Sequence, residues 1–292
     1  MITITAPTGR IGHQVLDALL DDGRPVRVIA RDPSRLTPRA RERAEVVQGS
    51  HSDPEVLAKA FEGAESVLWL VPPNPQAENI QDLYLDFTRP ACDAIKAQGV
   101  KRVVGITSLG RAYGKHAGLL SPAFAMDELI EGTGVAYRSL AMPYFMENFL
   151  YQLELIKTQG LFVTPNAVDR PLAVVATRDI AATAAALLLD ASWSGQGTVR
   201  VIGPDSLSPK AMAQVMSEVL DRPIAVWQSD LYTYETTMTG YGMSAAWAKG
   251  LVDMAAAQND GIYDAEQAAL TSPAATGFRQ WCEEVLKPAV LA

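Results

Sequence analysis

The chain has 292 residues, with 33 acidic against 25 basic side chains and a formal charge of −8. That length allows one large α/β domain or a domain with an added lobe. The acidic balance without a basic cluster speaks against a nucleic-acid surface, two cysteines against a disulfide framework, and three scattered histidines against a His-built metal site.

No apolar run approaches the roughly 20 residues that cross a bilayer, and the first strand begins at once, with no secretory leader ahead of it. The expectation is a soluble cytoplasmic protein, monomer or homodimer. Its partners would be small molecules rather than nucleic acid or membrane.

The β-branched run Ile2 to Thr5 stops at Ala6-Pro7-Thr8-Gly9-Arg10-Ile11-Gly12, and an amphipathic stretch, His13 to Leu20, follows directly. Strand, tight glycine turn and helix together offer backbone N–H groups and a helix N-terminus to a pyrophosphate. Gly9 would let the backbone approach the phosphates, and Gly12 would let the helix pack close to the first strand. Ala6 occupies the first position of the Gly-x-x-Gly-x-x-Gly pattern, so the motif is one glycine short.

Further strands are predicted over Val26–Ala30, Ala44–Gln48, Ser66–Val71, Lys101–Ile106 and Val135–Leu140. Between them, Pro54–Phe61 has helical periodicity behind an Asp53 cap, and Asn79–Gln98 makes a long helix closed by Gly99. Strands alternating with helices imply βαβ units, hence a doubly wound parallel sheet of the Rossmann type. After Leu140 the rhythm loosens. A helix over Arg178–Leu189, a strand over Gly197–Ile202 and a helix over Ser208–Leu220 follow. The expected organisation is a dinucleotide domain over residues 1–150, to which residues 172–203 return. Residues 151–171 and 204–292 would form a small C-terminal substrate lobe, with Tyr232, Tyr234, Tyr241 and Trp247 as a possible apolar pocket.

Ligands of such sheets bind outside the carboxyl ends of the strands. Arg31 directly follows the second strand, where an acid reads a ribose 2′-OH and an arginine accommodates a 2′-phosphate. Asp32, before Pro33, is expected to open a turn instead. Arg10 and Arg35 add positive charge nearby, and a guanidinium can grip a phosphate through two parallel hydrogen bonds. NADP(H) is therefore the expected cofactor, with NAD(H) possible and no metal. Gly49-Ser50, Val71-Pro72 and Thr107-Ser108 end the third, fourth and fifth strands, where adenine, dinucleotide and nicotinamide contacts would fall; turn chemistry alone also favours these residue types.

Five stretches carry a family resemblance: Ala6–Gly12, Val28–Pro33, Glu128–Val135 leading into Tyr137, Pro143–Phe149, and Thr177–Ala181. With Gly203-Pro204 they span nearly the whole chain, and in order and spacing the chain resembles the NmrA-like group of atypical short-chain dehydrogenase/reductases. The resemblance implies a Rossmann domain with a small substrate lobe. It implies an NADPH-dependent reductase of quinones, triphenylmethane dyes or phenylpropanoids, or a dinucleotide-binding redox sensor without turnover. It also places Pro143 and Tyr144 beside the nicotinamide.

One departure stands out. The Tyr-x-x-x-Lys pair of short-chain dehydrogenases falls on Leu120 and Phe124, neither of which can move a proton. An acceptor that stabilises incoming electrons needs little acid help, whereas a plain ketone needs a donor worth about 10²–10⁴-fold in rate. Candidate groups are Thr107, Ser108, and the pair Tyr113 and Lys115 in a glycine-flanked loop. Glu147 and Asn148 are expected to bind backbone or cap a helix rather than act on substrate. The expected function is hydride transfer to a small conjugated or carbonyl substrate; the alternative is a non-catalytic NADP(H) sensor.

Overall fold

The computed structural model describes residues 1–267 and 275–292. Its first strands are β1 (Ile2–Ile4), β2 (Val26–Ala30), β3 (Glu45–Gln48), β4 (Ser66–Trp69), β5 (Arg102–Ser108) and β6 (Ala136–Met142). Then come the short β7 (Tyr144–Phe145), β8 (Leu161–Thr164), β9 (Leu172–Val175), β10 (Gln196–Arg200), β11 (Ser206–Leu207) and β12 (Ala225–Gln228). The large sheet has the order β10-β6-β5-β4-β1-β2-β3, with every pairing parallel. This is the doubly wound Rossmann arrangement, and its strand order reverses between β1 and β4, the place where such sheets bind ligands.

A parallel sheet covered on both faces needs strands that are apolar throughout. All four residues of β4, Ser66 to Trp69, are buried. One face carries Ile4, Val28, Leu68, Val104, Ile106 and Leu140, packed under α1 (Arg10–Asp22) and, later in the chain, the helix Thr177–Leu189. The opposite face carries Val67, Trp69, Val103 and Tyr137 under α3 (Pro54–Phe61), α4 (Ile80–Gln98) and α5 (Ser121–Glu131). A short α2 (Pro38–Arg43) precedes β3. The caps are those the composition implies: Asp53 accepts from the Glu55 N–H, Asn79 from the Asp82 N–H, and Gly99 ends α4 in the left-handed region.

The smaller lobe contains α6 (Leu153–Gln159), α8 (Pro209–Leu220), α9 (Leu231–Gly240), α10 (Ala245–Asn259) and a C-terminal helical segment from Phe278 to Leu291. Its core gathers Met146, Phe149, Phe162, Met212, Met216, Phe278 and Trp281. The returning segment divides. The Thr177–Leu189 helix, α7, packs on α1 and β10 pairs with β6, whereas β9 joins β7 and β11 in a separate three-stranded sheet. Residues 268–274, inside the expected lobe, lie outside the described residues.

The four aromatics expected to form a pocket do not converge. Trp247 is buried and Tyr234 lies near Tyr144, but Tyr232 and Tyr241 are 80% and 76% exposed. The physical reason is α9 itself, which presents no buried residue to the core. No helix among the described residues is long and apolar enough to cross a membrane.

Candidate active site

Because all seven strands run parallel, the residues singled out at their ends share one edge of the sheet. The Ala6–Gly12 turn follows β1, Arg31 follows β2, Gly49-Ser50 follow β3, and Val71-Pro72 lie beyond β4. Thr107 and Ser108 belong to the last turn of β5 rather than to the loop after it, since the strand runs two residues further than its apolar pattern suggested. Pro143 and Tyr144 follow β6.

The turn after β1 is built for close approach. Ala6 takes a left-handed conformation (φ 50°), unusual outside glycine, and its carbonyl accepts the Gly9 N–H at 3.0 Å. A Cβ on Gly12 would penetrate the Ala6 carbonyl oxygen and stand 2.9 Å from its carbon and 3.2 Å from Pro7 Cα. Only glycine lets α1 start so near β1. The helix begins at Gly9 with no side chain capping it; α5, α6 and α7 also lack a side-chain cap, whereas α2, α3, α4, α8, α9 and α10 are each capped by Thr, Asp, Asn or Ser. The first N–H groups of α1 thus face the turn with no side-chain acceptor, as a phosphate site requires.

At the end of β2, Arg31 is exposed two residues before a short 3₁₀ turn, Pro33–Arg35, and Arg35, the last residue of that turn, is exposed too. Asp32 opens that turn, as expected. Its Oδ1 accepts both the Ser34 N–H (3.0 Å) and the Ser34 hydroxyl (2.7 Å), so this acid is spent locally. Arg10 does not join these arginines. Its Nη1 donates to the Glu147 carbonyl at 2.6 Å, and its guanidinium lies 4.5 Å from the Tyr151 ring centroid. Ser50 hydrogen-bonds Ser52, and Gly49 has a positive φ of 149°.

Thr107 and Ser108 are buried, and the Ser108 hydroxyl donates to the Met142 carbonyl at 3.3 Å. Tyr113 and Lys115 both donate to one carboxylate, Asp260 at the end of α10, at 2.7 and 2.9 Å. The pair is therefore assembled, but around an acid of the other lobe. Tyr144 lies near Tyr234 and Asn148, and burial raises its hydroxyl pKa. Phe149 fills the lobe core. Glu147 binds backbone, as expected: its carboxylate accepts the Thr177 N–H at the start of α7 (3.0 Å) and the Trp281 Nε1–H (3.3 Å).

Two residues emerge only in three dimensions. His51 is buried edge-on against Trp69 and Phe87, with Nε2 at 3.0 Å from the Leu70 carbonyl. A carbonyl can only accept, so Nε2 carries the proton, and burial lowers the imidazole pKa to about 4. Asp127 on α5 is 1% exposed and receives the Tyr137 hydroxyl at 2.6 Å and the Ser139 hydroxyl at 2.9 Å. A histidine three residues past a strand and an acid inside a helix carry no local signal of such burial.

The NmrA-like family pattern matches residues 1–275. The chain belongs to the NmrA-like family. It is 30% identical over 227 residues to a (4-alkanoyl-5-oxo-2,5-dihydrofuran-3-yl)methyl phosphate reductase of Streptomyces griseus, covering 77% of this chain and 75% of that protein. It is 25% identical over 254 residues to an NAD(P)H azoreductase of Xenophilus azovorans, covering 87% and 86%. Among solved structures, the NADPH-dependent quinone oxidoreductase QOR2 of Escherichia coli, complexed with NADPH, superposes with a TM-score of 0.79 at 21% identity, covering 100% of this chain and 99% of that one.

Proposed function

We propose that this chain, an NADP(H)-dependent reductase of the NmrA-like family, transfers hydride to a small electron-poor conjugated or carbonyl compound of the quinone type. The observation that carries the cofactor end is the glycine-built, uncapped start of α1 at the point where the strand order reverses. The residues fit the group. The N–H groups of Thr8, Arg10, Ile11 and Gly12 would receive the pyrophosphate, that of Gly9 being bonded to the Ala6 carbonyl within the turn. Arg31 and Arg35 would receive the 2′-phosphate, while Asp32 is already bonded to Ser34. Gly49 and Ser50 would border the adenine, and Val71, Pro72, Thr107, Pro143 and Tyr144 the nicotinamide half.

When bound, the dinucleotide supplies the hydride, and the protein's task is alignment and exclusion of water. Leu120 and Phe124 are apolar and only partly buried, so this wall of the site favours a flat apolar acceptor over one that needs a strong proton donor. Tyr113 and Lys115, bound to Asp260, would brace the β5 loop against α10 rather than act on substrate.

Stopped-flow mixing of protein, NADPH and a panel of quinones tests the proposal. Oxidation of NADPH above the protein-free rate is expected for at least one acceptor. Tight NADPH binding with no oxidation for any acceptor would favour a dinucleotide sensor instead.

A further inference from the structure

Behind the end of β5 lies a polar device that cofactor binding does not use. Asp127 sits on the inner face of α5, where the Tyr137 and Ser139 hydroxyls of β6 both donate to it. Thr107, at the end of β5, donates its hydroxyl to the Ala123 carbonyl at 3.5 Å and stands close enough to Asp127 to favour its charged form. The room for this cluster is built into the backbone. A Cβ on Gly105 would stand 2.7 Å from Tyr137 Cζ and 2.8 Å from Cε2, so glycine at this strand position lets the phenol pass beneath it to reach the acid. The far side of Asp127 opens on a cavity of about 330 Å³, lined also by Ser108, Ser139, Arg111, Thr198 and Arg200. That is roomy enough for several waters, with polar partners to hold them.

We propose that Asp127 is a buried proton reservoir that recharges Thr107, linking water in this cavity to the substrate edge of the sheet. The proposal rests on the reductase reading above and supplies the donor that Leu120 and Phe124 lack. Reduction of a carbonyl adds a hydride to carbon and a proton to oxygen. The oxygen, gaining negative charge as hydride arrives, takes the Thr107 Oγ1 proton. Thr107 takes the carboxyl proton of Asp127 in the same movement, so no free alkoxide is left on the threonine. The Asp127 carboxylate then recovers a proton from a solvent acid (hydronium or buffer) relayed through the cavity waters, which are left neutral, and one hydride and one proton have been consumed per carbonyl.

Burial pushes the Asp127 carboxyl up to about 6, against the opposing effect of the three neighbouring hydroxyls. The charged groups around it are Arg111, which is bonded to Glu131 at 2.7 Å, with Glu128 on α5 itself; Arg200 of β10 and Glu266 face the shared cavity. The protonated share therefore falls about tenfold per pH unit above the carboxyl pKa.

The test compares two acceptors in single turnovers with NADPH, an aromatic 1,2-diketone and a cationic triarylmethane dye. The dye takes hydride at its cationic carbon and needs no proton; the diketone needs one. In Asp127→Asn the diketone-to-dye rate ratio should fall at least tenfold at pH 6, and its decline with pH above 6, present in the wild type, should vanish. Thr107→Val should lower the ratio likewise, and stands in if Asp127→Asn does not fold. Equal loss on both acceptors, with the wild-type pH profile kept, overturns the relay. So does a wild type that reduces the dye but never the diketone. If the wild type reduces only the diketone, the pH profile decides: flat in Asp127→Asn supports the relay, parallel to wild type refutes it. A wild type that binds NADPH and reduces neither acceptor overturns the reductase reading instead.

Discussion

Gly12→Ala is the sharpest probe of the turn. The added methyl would overlap the Ala6 carbonyl oxygen and crowd two more backbone atoms, at 2.9 and 3.2 Å, so no side chain can swing aside to admit it. Either α1 moves outward or the turn opens, and α1 is anchored by Ile11, Val15, Leu16, Leu19 and Leu20 in the core. Overpacking of this kind costs about 1–3 kcal/mol. In a chain of this size each kcal/mol lowers Tm by roughly 2–4 °C, so a fall on the order of 2–12 °C is expected by calorimetry. Gly9→Ala is the control. Its Cβ meets only the Ala6 oxygen, at 3.4 Å, and its φ of −80° suits alanine, so the loss should stay within about 1 kcal/mol, the scale of an N-cap change. NADPH titration calorimetry on both variants should show weakened binding for Gly12→Ala, because the displaced helix start no longer presents its N–H groups together. A Gly12→Ala protein that melts with the wild type and binds NADPH equally well would refute the close approach of α1 to the turn.

Arg31→Ala should weaken NADPH by roughly 10- to 100-fold, the worth of a charge-assisted hydrogen bond, and leave NADH nearly unaffected; equal losses in a competition titration would remove the 2′-phosphate assignment. Glu147→Ala strips the acceptor from the buried Thr177 N–H and Trp281 Nε1–H, each left unsatisfied at about 1–3 kcal/mol. Urea unfolding should register that loss, and Glu147→Gln, which keeps an acceptor oxygen, should lose less. His51, neutral in the fold with its pKa lowered to about 4, binds fewer protons than in the unfolded chain between pH 4 and 6.5. Its contribution therefore declines as pH falls through that window. His51→Phe should flatten this part of the stability–pH curve relative to wild type, and an unchanged difference across pH 4–6.5 would contradict the buried neutral imidazole.

What the sequence disclosed was what is decided locally. The glycine turn, the β-branched strand cores and the caps Asp53, Ser208 and Gly99 act over a few residues and read directly, whereas Asn79, read as the first helical residue, proves to be the cap of α4. The two-residue strands β7 and β11 are too short to show a period, so the three-stranded sheet they form with β9 stayed hidden. Tyr113 and Lys115 looked like a spare catalytic pair because their partner, Asp260, lies about 145 residues away in sequence. Asp127 was invisible for the same reason. Its burial depends on Tyr137 and Ser139 from the next strand and on the missing side chain at Gly105. An acid on a helix more often faces water, and nothing in its own neighbours along the chain says otherwise.

The arginines of the cofactor end show how tertiary contacts divide residues of one type among different tasks. Arg10 sits in the turn itself, yet its guanidinium is held by the Glu147 carbonyl and the face of Tyr151. Glu147 in turn ties α7 and Trp281 of the C-terminal segment. The first turn of α1 is thereby fastened to the smaller lobe by a side chain that composition alone would assign to phosphate. Under the proposed function the pyrophosphate would depend on backbone N–H groups and the start of α1, which carry no net charge to discriminate one dinucleotide from another. On that reading, discrimination would fall to Arg31 and Arg35, which remain exposed at the end of β2, and to Asp32, whose carboxylate is bonded to Ser34 and would have to give it up to serve a ribose hydroxyl. Affinity and cofactor choice would thus reside in separate strand ends, and a substitution at one should leave the other readable.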